Sequence, residues 1–232
     1  MIKLEPRLFE LCDMVRGYSC VADIGCDHGR LSCALLQSFD IKRVIAADIS
    51  ETCLQKARKL AEKCGLLSRI DIRCGDGLSV LCAEEADAVI IAGMGGELIS
   101  NILENSKNTA KHIKRFAFQP MRGIEKLRRY LYNNDYRIIK DKIIKEGRHW
   151  YQLICVEHGT PLPIPQGFPP DLFLLGYVSF TDEEKYLPEY LDFLIKAFNK
   201  RIDDAAHGGF IPEKLLTDYE NLKAAKSIVS KM

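Results

Sequence analysis

Residues 20–30 read CVADIGCDHGR. A short apolar run (Cys20, Val21, Ala22, Ile24) ends in two glycines four apart, Gly25 and Gly29. Helix-forming apolar residues follow at Leu31, Ala34, Leu35 and Leu36. Strand, tight turn and helix in that order open an α/β sheet. The crevice at the carboxyl end of such a first strand takes a nucleotide-like ligand. The turn residues say which kind. A dinucleotide pyrophosphate asks for bare amides and GxGxxG spacing, but here Asp23 and Asp27 stand in the turn with His28 beside them. Carboxylates repel a pyrophosphate at short range. They suit a ligand with an ammonium and a sulfonium, as in S-adenosylmethionine. The plain alternative is a glycine turn that only packs.

Outward from this stretch the chain alternates. An amphipathic helix is expected over 4–16, with Leu4, Leu8, Leu11 and Val15 on one side. Strand two, RVIAADI at 43–49, ends at Asp48, 19 residues past Gly29. A carboxylate there accepts both ribose hydroxyls of an adenosine. Ser50 is placed to cap a helix near 51–64, and Gly65 to close it. Strand three, 69–74, runs into Gly75, Asp76 and Gly77. Asp76 reads either as an acceptor for an adenine amino group or as a simple turn aspartate. DAVIIAG at 87–93 is a continuous apolar run and so a central strand, breaking into GMGG at 93–96. Strand five, RFAFQPM at 115–121, ends at Gln119 and Pro120. The helix predicted over 123–133 turns Leu127 and Leu131 inward and Lys126, Arg128 and Arg129 outward. Segments 136–147 and 149–159 flank a tight turn and pair antiparallel. The sum is a doubly wound sheet with an antiparallel edge.

After Gly159 the composition shifts. TPLPIPQGFPP holds five prolines (161, 163, 165, 169, 170) and cannot continue a sheet, so 161–180 reads as a structured linker. Thr181, Asp182, Glu183 and Glu184 offer a capping box. Leu187, Leu191, Leu194, Phe198, Ile202 and Ala205 then form one helical stripe, broken at His207–Gly209. Pro212 opens a second helix with Leu215, Tyr219, Leu222 and Val229 on one side, making 181–232 a helical hairpin.

Composition bounds the possibilities. An apolar share of 47% in 232 residues supports a sizeable core and argues against disorder. No apolar run approaches a membrane span, and the N-terminus lacks a signal-peptide profile. Nine cysteines without a CxxC pair read as reduced thiols, neither a disulfide framework nor a zinc site; a cytoplasmic protein is expected. The net charge of +1 conceals an asymmetry: residues 107–148 hold 13 Lys/Arg against 4 Asp/Glu. Such a block is either a face for a polyanion or a solvated, lysine-rich surface.

Taken together, DIGCDHG, AADIS, CGDG, IIAGMGG, FQPM, LRRYLYNNDYRI and KEGRHWYQLI resemble the bacterial tRNA (adenine-22-N1)-methyltransferase family. The resemblance runs through residues 1–160, and the helical tail is in keeping with it. The chain departs from the family pattern at Cys26 and Arg30. The resemblance implies a Rossmann-like class I methyltransferase domain over 1–160 and a C-terminal α-helical hairpin. It also implies S-adenosylmethionine as cofactor and methyl transfer to N1 of an adenine in the D-arm region of tRNA. Asp23, Gly25, Cys26 and Gly29 would hold the methionine end, Asp48 and Ile49 the ribose side, and Asp76 and Gly77 the adenine. Ala92, Gly93, Met94 and Gly95 would lie where the target base meets the methyl group, with Gln119 and Met121 lining that mouth.

The chemistry asks for a group to offset the positive charge that N1 methylation leaves on the ring. Asp27 is the candidate and His28 the next, although a histidine bonded within the turn is the plainer reading of the latter. The target base must leave its stack. Tyr130, Tyr132 and Trp150 read better as core or cross-strand partners than as base stackers. Phosphate contacts are expected from Lys111, Lys114, Arg115, Arg122, Lys126, Arg128 and Arg129. The expected partner is tRNA, with no membrane, no metal and a monomeric state. Three competitors stay open: a nicotinamide-dependent oxidoreductase, a methyltransferase for another RNA, a protein or a small molecule, and a non-catalytic RNA-binding module.

Overall fold

The computed structural model describes residues 2–169, 172–181 and 184–231. Helix α1 (Pro6–Met14) precedes β1 (Cys20–Ile24), α2 (Arg30–Ser38), β2 (Arg43–Asp48), α3 (Glu51–Lys63) and β3 (Ile70–Cys74). A short 3-10 turn (Gly77–Val80) leads to β4 (Ala88–Gly95), α4 (Gly96–Asn105), α5 (Lys107–Ala110), β5 (Arg115–Arg122) and α6 (Ile124–Asn133). The hairpin β6 (Tyr136–Glu146) and β7 (His149–His158) completes a seven-stranded sheet ordered β3-β2-β1-β4-β5-β7-β6. The first five strands are parallel; β7 enters antiparallel between β5 and β6. No described helix is long and apolar enough to cross a membrane.

Alternation along the central strands feeds two cores, one on each face. Ala22, Ile24, Val89 and Ile91 join the side of α4 and α6. Val21, Ala88 and Ile90 join the side of α1, α2 and α3. A strand covered twice has no polar face, which is why β4 reads as an unbroken apolar run. Ser50 caps α3 by accepting the Cys53 amide at 3.3 Å, and Gly65 closes it at φ 69°. Two glycines let backbones approach. A Cβ at Gly29 would sit 2.8 Å from that of Ala57, so α2 and α3 depend on its absence. One at Gly96 would overlap the Gly123 carbonyl, so the turns after β4 and β5 touch main chain to main chain.

The chain after Gly159 is packed rather than strung out. Phe168, Leu172, Leu175, Tyr177, Val178 and Phe180 are buried in the same core as α4 and α6. Helix α7 (Val178–Thr181) follows, then α8 (Leu187–His207) and α9 (Glu213–Val229), antiparallel and joined through Gly208 and Gly209. Leu187, Leu191, Phe198, Leu215 and Leu222 continue the core between them. Pro170 and the capping box at Asp182 and Glu183 lie outside the described residues.

Arg128 corrects an expectation. It does not face outward on α6: it is 2% exposed and forms a bidentate pair with the buried Asp141 of β6. Its Nε donates to Asp141 Oδ2 at 3.0 Å and its Nη2 to Oδ1 at 2.6 Å. Nη2 also reaches Gln152 Oε1 (2.8 Å), and Nη1 the Phe173 carbonyl (3.1 Å). Gln152 in turn donates to the Tyr190 hydroxyl of α8 at 2.9 Å. The backbone of Gly176 packs so closely on Asp141 that no side chain fits there. This network ties the hairpin and the segment before it to α6, and it takes Arg128 out of contact with solvent.

Candidate active site

The connections of β1 and β4 leave in opposite directions, to β2 on one side and β5 on the other. This is the switch point of the sheet, where α/β folds open a crevice. The turn after β1 is fixed by Gly25 and Cys26, whose amides both donate to the Ala47 carbonyl at 2.8 and 2.9 Å, and by Gly29 donating to Cys26 at 2.8 Å. Gly25 adopts φ 77°, and Met94 lies against it where a side chain would stand. Asp23 at the end of β1 is 3% exposed and accepts the Ser32 hydroxyl at 2.5 Å. Burial lifts its pKa from 3.8 to about 6 against the Ser32 hydrogen bonds, and the nearby Asp48 charge adds to the rise. Burial also pushes the Cys26 thiol up, so it stays protonated.

Asp48 is held before any ligand arrives. Its Oδ1 accepts the Ser50 amide at 2.9 Å and its Oδ2 the Asp27 amide at 3.0 Å. Next to it Ile49 is an apolar side chain left 73% exposed. The Gly75 amide donates to the Asp48 carbonyl at 3.1 Å, which brings Asp76 and the left-handed Gly77 to the same rim. Asp27 is itself left-handed at φ 48°. Its Oδ1 lies 3.3 Å from Cys53 Sγ and 3.4 Å from His28 Nε2, and His28 Nε2 lies 3.1 Å from Lys56 Nζ.

A cavity of about 270 Å³ opens on the other side of this turn. Asp23, Gly25, Cys26, Asp27 and His28 form one wall, and Ala92, Gly93, Gln119 and Met121 the facing one. Gly93 takes φ 78°, and the β4–β5 register slips between Ala92 and Met94. That irregularity splays the strand exit and widens the mouth. Gln119 is buried and donates to the Pro120 carbonyl at 3.2 Å, while Met121 projects, 57% exposed. Arg30 and Leu31 of α2 and Glu5, Arg7 and Leu8 complete the lining, and sequence reading missed the last three as site residues. Arg7 is held there by Glu146 and lies 4.7 Å from the Tyr151 ring. These three belong to no motif; the only trace was Leu8, a member of the apolar stripe of the first helix.

Beside this mouth runs a groove of about 550 Å³ lined by Gly95, Gly96, Glu97, Leu98, Asn101, Arg122, Gly123 and Lys126. Arg129 lines a further groove between α6 and α9 and lies over the Phe173 ring. The basic block is therefore not one face. Arg115 and Lys114 stand at the start of β5, the end of the sheet away from the crevice, where they pair with Glu157 and Asp87. Arg137, Lys142 and Lys145 pair with Glu157, Glu10 and Glu189. Of the residues expected to meet phosphate, Arg122 and Lys126 line the groove beside the mouth, Lys126 paired with Glu97, and Arg129 stands in the next groove along α6; Lys114, Arg115 and Arg128 lie elsewhere.

This strand order, with carboxylates where a dinucleotide fold keeps bare glycine amides, defines a Rossmann-like methyltransferase. Residues 4–154 match the family described as "Methyltransferase domain". The tRNA (adenine(22)-N(1))-methyltransferase of Bacillus subtilis is 36% identical over 158 residues, which cover 68% of this chain and 66% of that protein. A Mycoplasma pneumoniae protein described as a putative tRNA methyltransferase is 31% identical over 78% of this chain and 83% of its own. The crystal structure of the B. subtilis m1A22 tRNA methyltransferase TrmK superposes with a TM-score of 0.81, at 28% identity, over 100% of this chain and 99% of that one. The chain belongs to this methyltransferase family, on the branch of the tRNA (adenine(22)-N(1))-methyltransferases.

Proposed function

We propose that this chain transfers the methyl group of S-adenosylmethionine to N1 of adenine 22 in tRNA. The observation that carries the reading is Asp23: a buried carboxylate bonded to Ser32, opening on a cavity beside a second carboxylate held by two amides. A cationic ligand relieves that burial, whereas a pyrophosphate would raise its cost. The bound cofactor supplies a methyl group activated by a sulfonium. Asp23, with the turn Gly25–Gly29, takes the methionine end. Asp48 would accept the ribose hydroxyls, with the exposed Ile49 beside it, and Asp76 with Gly77 would meet the adenine. Ala92 and Gly93 would line the mouth where the methyl group is delivered.

The target adenine enters between Met94, Gln119 and Met121. N1 is a weak nucleophile, so alignment and exclusion of water do much of the work. The Asp27 carboxylate, with His28 beside it, offsets the charge that develops on the ring. Arg122, Lys126 and Arg129 take RNA phosphates along the two grooves that lead away from the mouth beside α6. Residues 1–160 act as the cofactor-binding unit, and the 181–232 hairpin is braced against it through Tyr190 and Gln152. Calorimetry tests the reading. S-adenosylhomocysteine binds the wild type, and Asp48→Ala weakens it by more than about tenfold, the loss of one charge-assisted hydrogen-bond acceptor. Binding of a nicotinamide dinucleotide in its place would overturn it.

A further inference from the structure

We propose that Asp27, His28 and Cys53 form a site for one thiophilic divalent cation, such as Zn²⁺, on the rim of the cofactor crevice. A carboxylate oxygen, an imidazole nitrogen and a thiol sulfur are the donors such an ion selects, and these three lie within 4.8 Å of one another. The two edges that meet at Asp27 match those of a tetrahedral site. Usual Zn bond lengths give edges of about 3.3 Å between nitrogen and oxygen and about 3.5 Å between oxygen and sulfur. The distances here are 3.4 Å from His28 Nε2 to Asp27 Oδ1 and 3.3 Å from Cys53 Sγ to the same oxygen. The left-handed backbone of Asp27 and its amide bond to Asp48 fix the turn that presents two of the donors. Cys53 sits in the first turn of α3, on a helix packed beside that turn. Lys56 Nζ, 3.1 Å from His28 Nε2, opposes the ion, and its exposed, flexible stem lets it swing into solvent.

Three protein donors leave a fourth position for water. Cys53 lies 25 positions past His28 in sequence, so no spacing motif announces them. The site itself stands on this geometry alone. Its consequence rests on the proposed cofactor reading: an ion here clamps Asp27 and His28 beside Asp48 and competes with the cofactor.

The test uses Co²⁺ as a spectroscopic probe on the reduced, chelator-treated full chain. One equivalent is expected to give tetrahedral visible bands and a thiolate charge-transfer band. Cys53→Ser abolishes the latter, and His28→Ala weakens binding by more than about tenfold, as loss of a ligand exceeds loss of a partner behind one. Replacing the exposed Cys82, away from the site, leaves the spectrum unchanged. A wild type without the charge-transfer band, or a Cys53→Ser spectrum identical to it, overturns the site. One equivalent of Zn²⁺ is then expected to weaken S-adenosylhomocysteine binding about tenfold. Unchanged affinity overturns the competition. Failure to bind S-adenosylhomocysteine even without metal overturns the cofactor reading, while the cobalt result stands.

Discussion

Replacing Arg128 with alanine removes a guanidinium that makes four hydrogen bonds among the described residues, two to Asp141 and one each to Gln152 and the Phe173 carbonyl. Both charged side chains are out of water, at 2% and 0% exposure. Loss of one partner leaves a buried carboxylate uncompensated, which costs about 3–5 kcal/mol. Taking about 4 kcal/mol, and roughly 2–4 °C per kcal/mol for a chain of this size, Tm falls by about 10 °C. Arg128→Met combined with Asp141→Leu removes both charges and is expected to recover most of that loss. Thermal unfolding followed by circular dichroism measures both variants. Filter binding to tRNA at about 10 °C, where the single variant is folded, measures the second consequence: the slope of log K against log salt stays at the wild-type value. A Tm shift under about 2 °C, together with a slope reduced by about one, would show Arg128 to be a surface phosphate contact and refute the buried network.

Cofactor affinity is expected to depend on pH through Asp23. Its folded pKa, about 6, stands above the ordinary 3.8, so the native state holds the proton longer and stability falls as pH rises between those values. The ammonium at the methionine end of the ligand favours the ionised form. Calorimetry therefore shows S-adenosylhomocysteine binding about tenfold weaker at about pH 5 than at about pH 7.5, and Asp23→Asn flattens the profile. Substituting Arg122, Lys126 and Arg129 together by alanine lowers tRNA affinity across sequences. It also reduces the salt slope by roughly one for each phosphate no longer neutralised, read by the same filter assay. Gly96→Ala forces the β4 and β5 exits apart; it lowers stability by about 1–3 kcal/mol in urea melts and raises KM for tRNA.

The turn after β1 was legible because two signals coincide there, a β run ending in spaced glycines and carboxylates where a phosphate would be repelled. The fate of Arg128 was legible in principle. Ile124, Leu127, Arg128 and Leu131 repeat at the three- and four-residue spacing of one helical face, so the stripe already contained it. Charge argued for solvent, and only a buried partner reverses that. The partner was hidden by a register slip: β6 pairs irregularly between Ile138 and Lys140, which turns Asp141 inward against the alternation set by Tyr136 and Ile138. The charge block over 107–148 misled for a related reason. Its residues belong to a strand start, a helix and a hairpin that point different ways, and carboxylates distant in sequence neutralise several of them. Cys53 gave no signal, because it gains meaning only from a turn 25 residues earlier.

The most direct measurement incubates the chain with methyl-labelled S-adenosylmethionine and unmodified tRNA transcripts, then maps the modified nucleoside by mass spectrometry. A single methyl group is expected, on N1 of adenine 22, and none on a transcript with guanine at that position. Label at another nucleotide, or no transfer to tRNA by protein that binds S-adenosylhomocysteine, would contradict the proposed function.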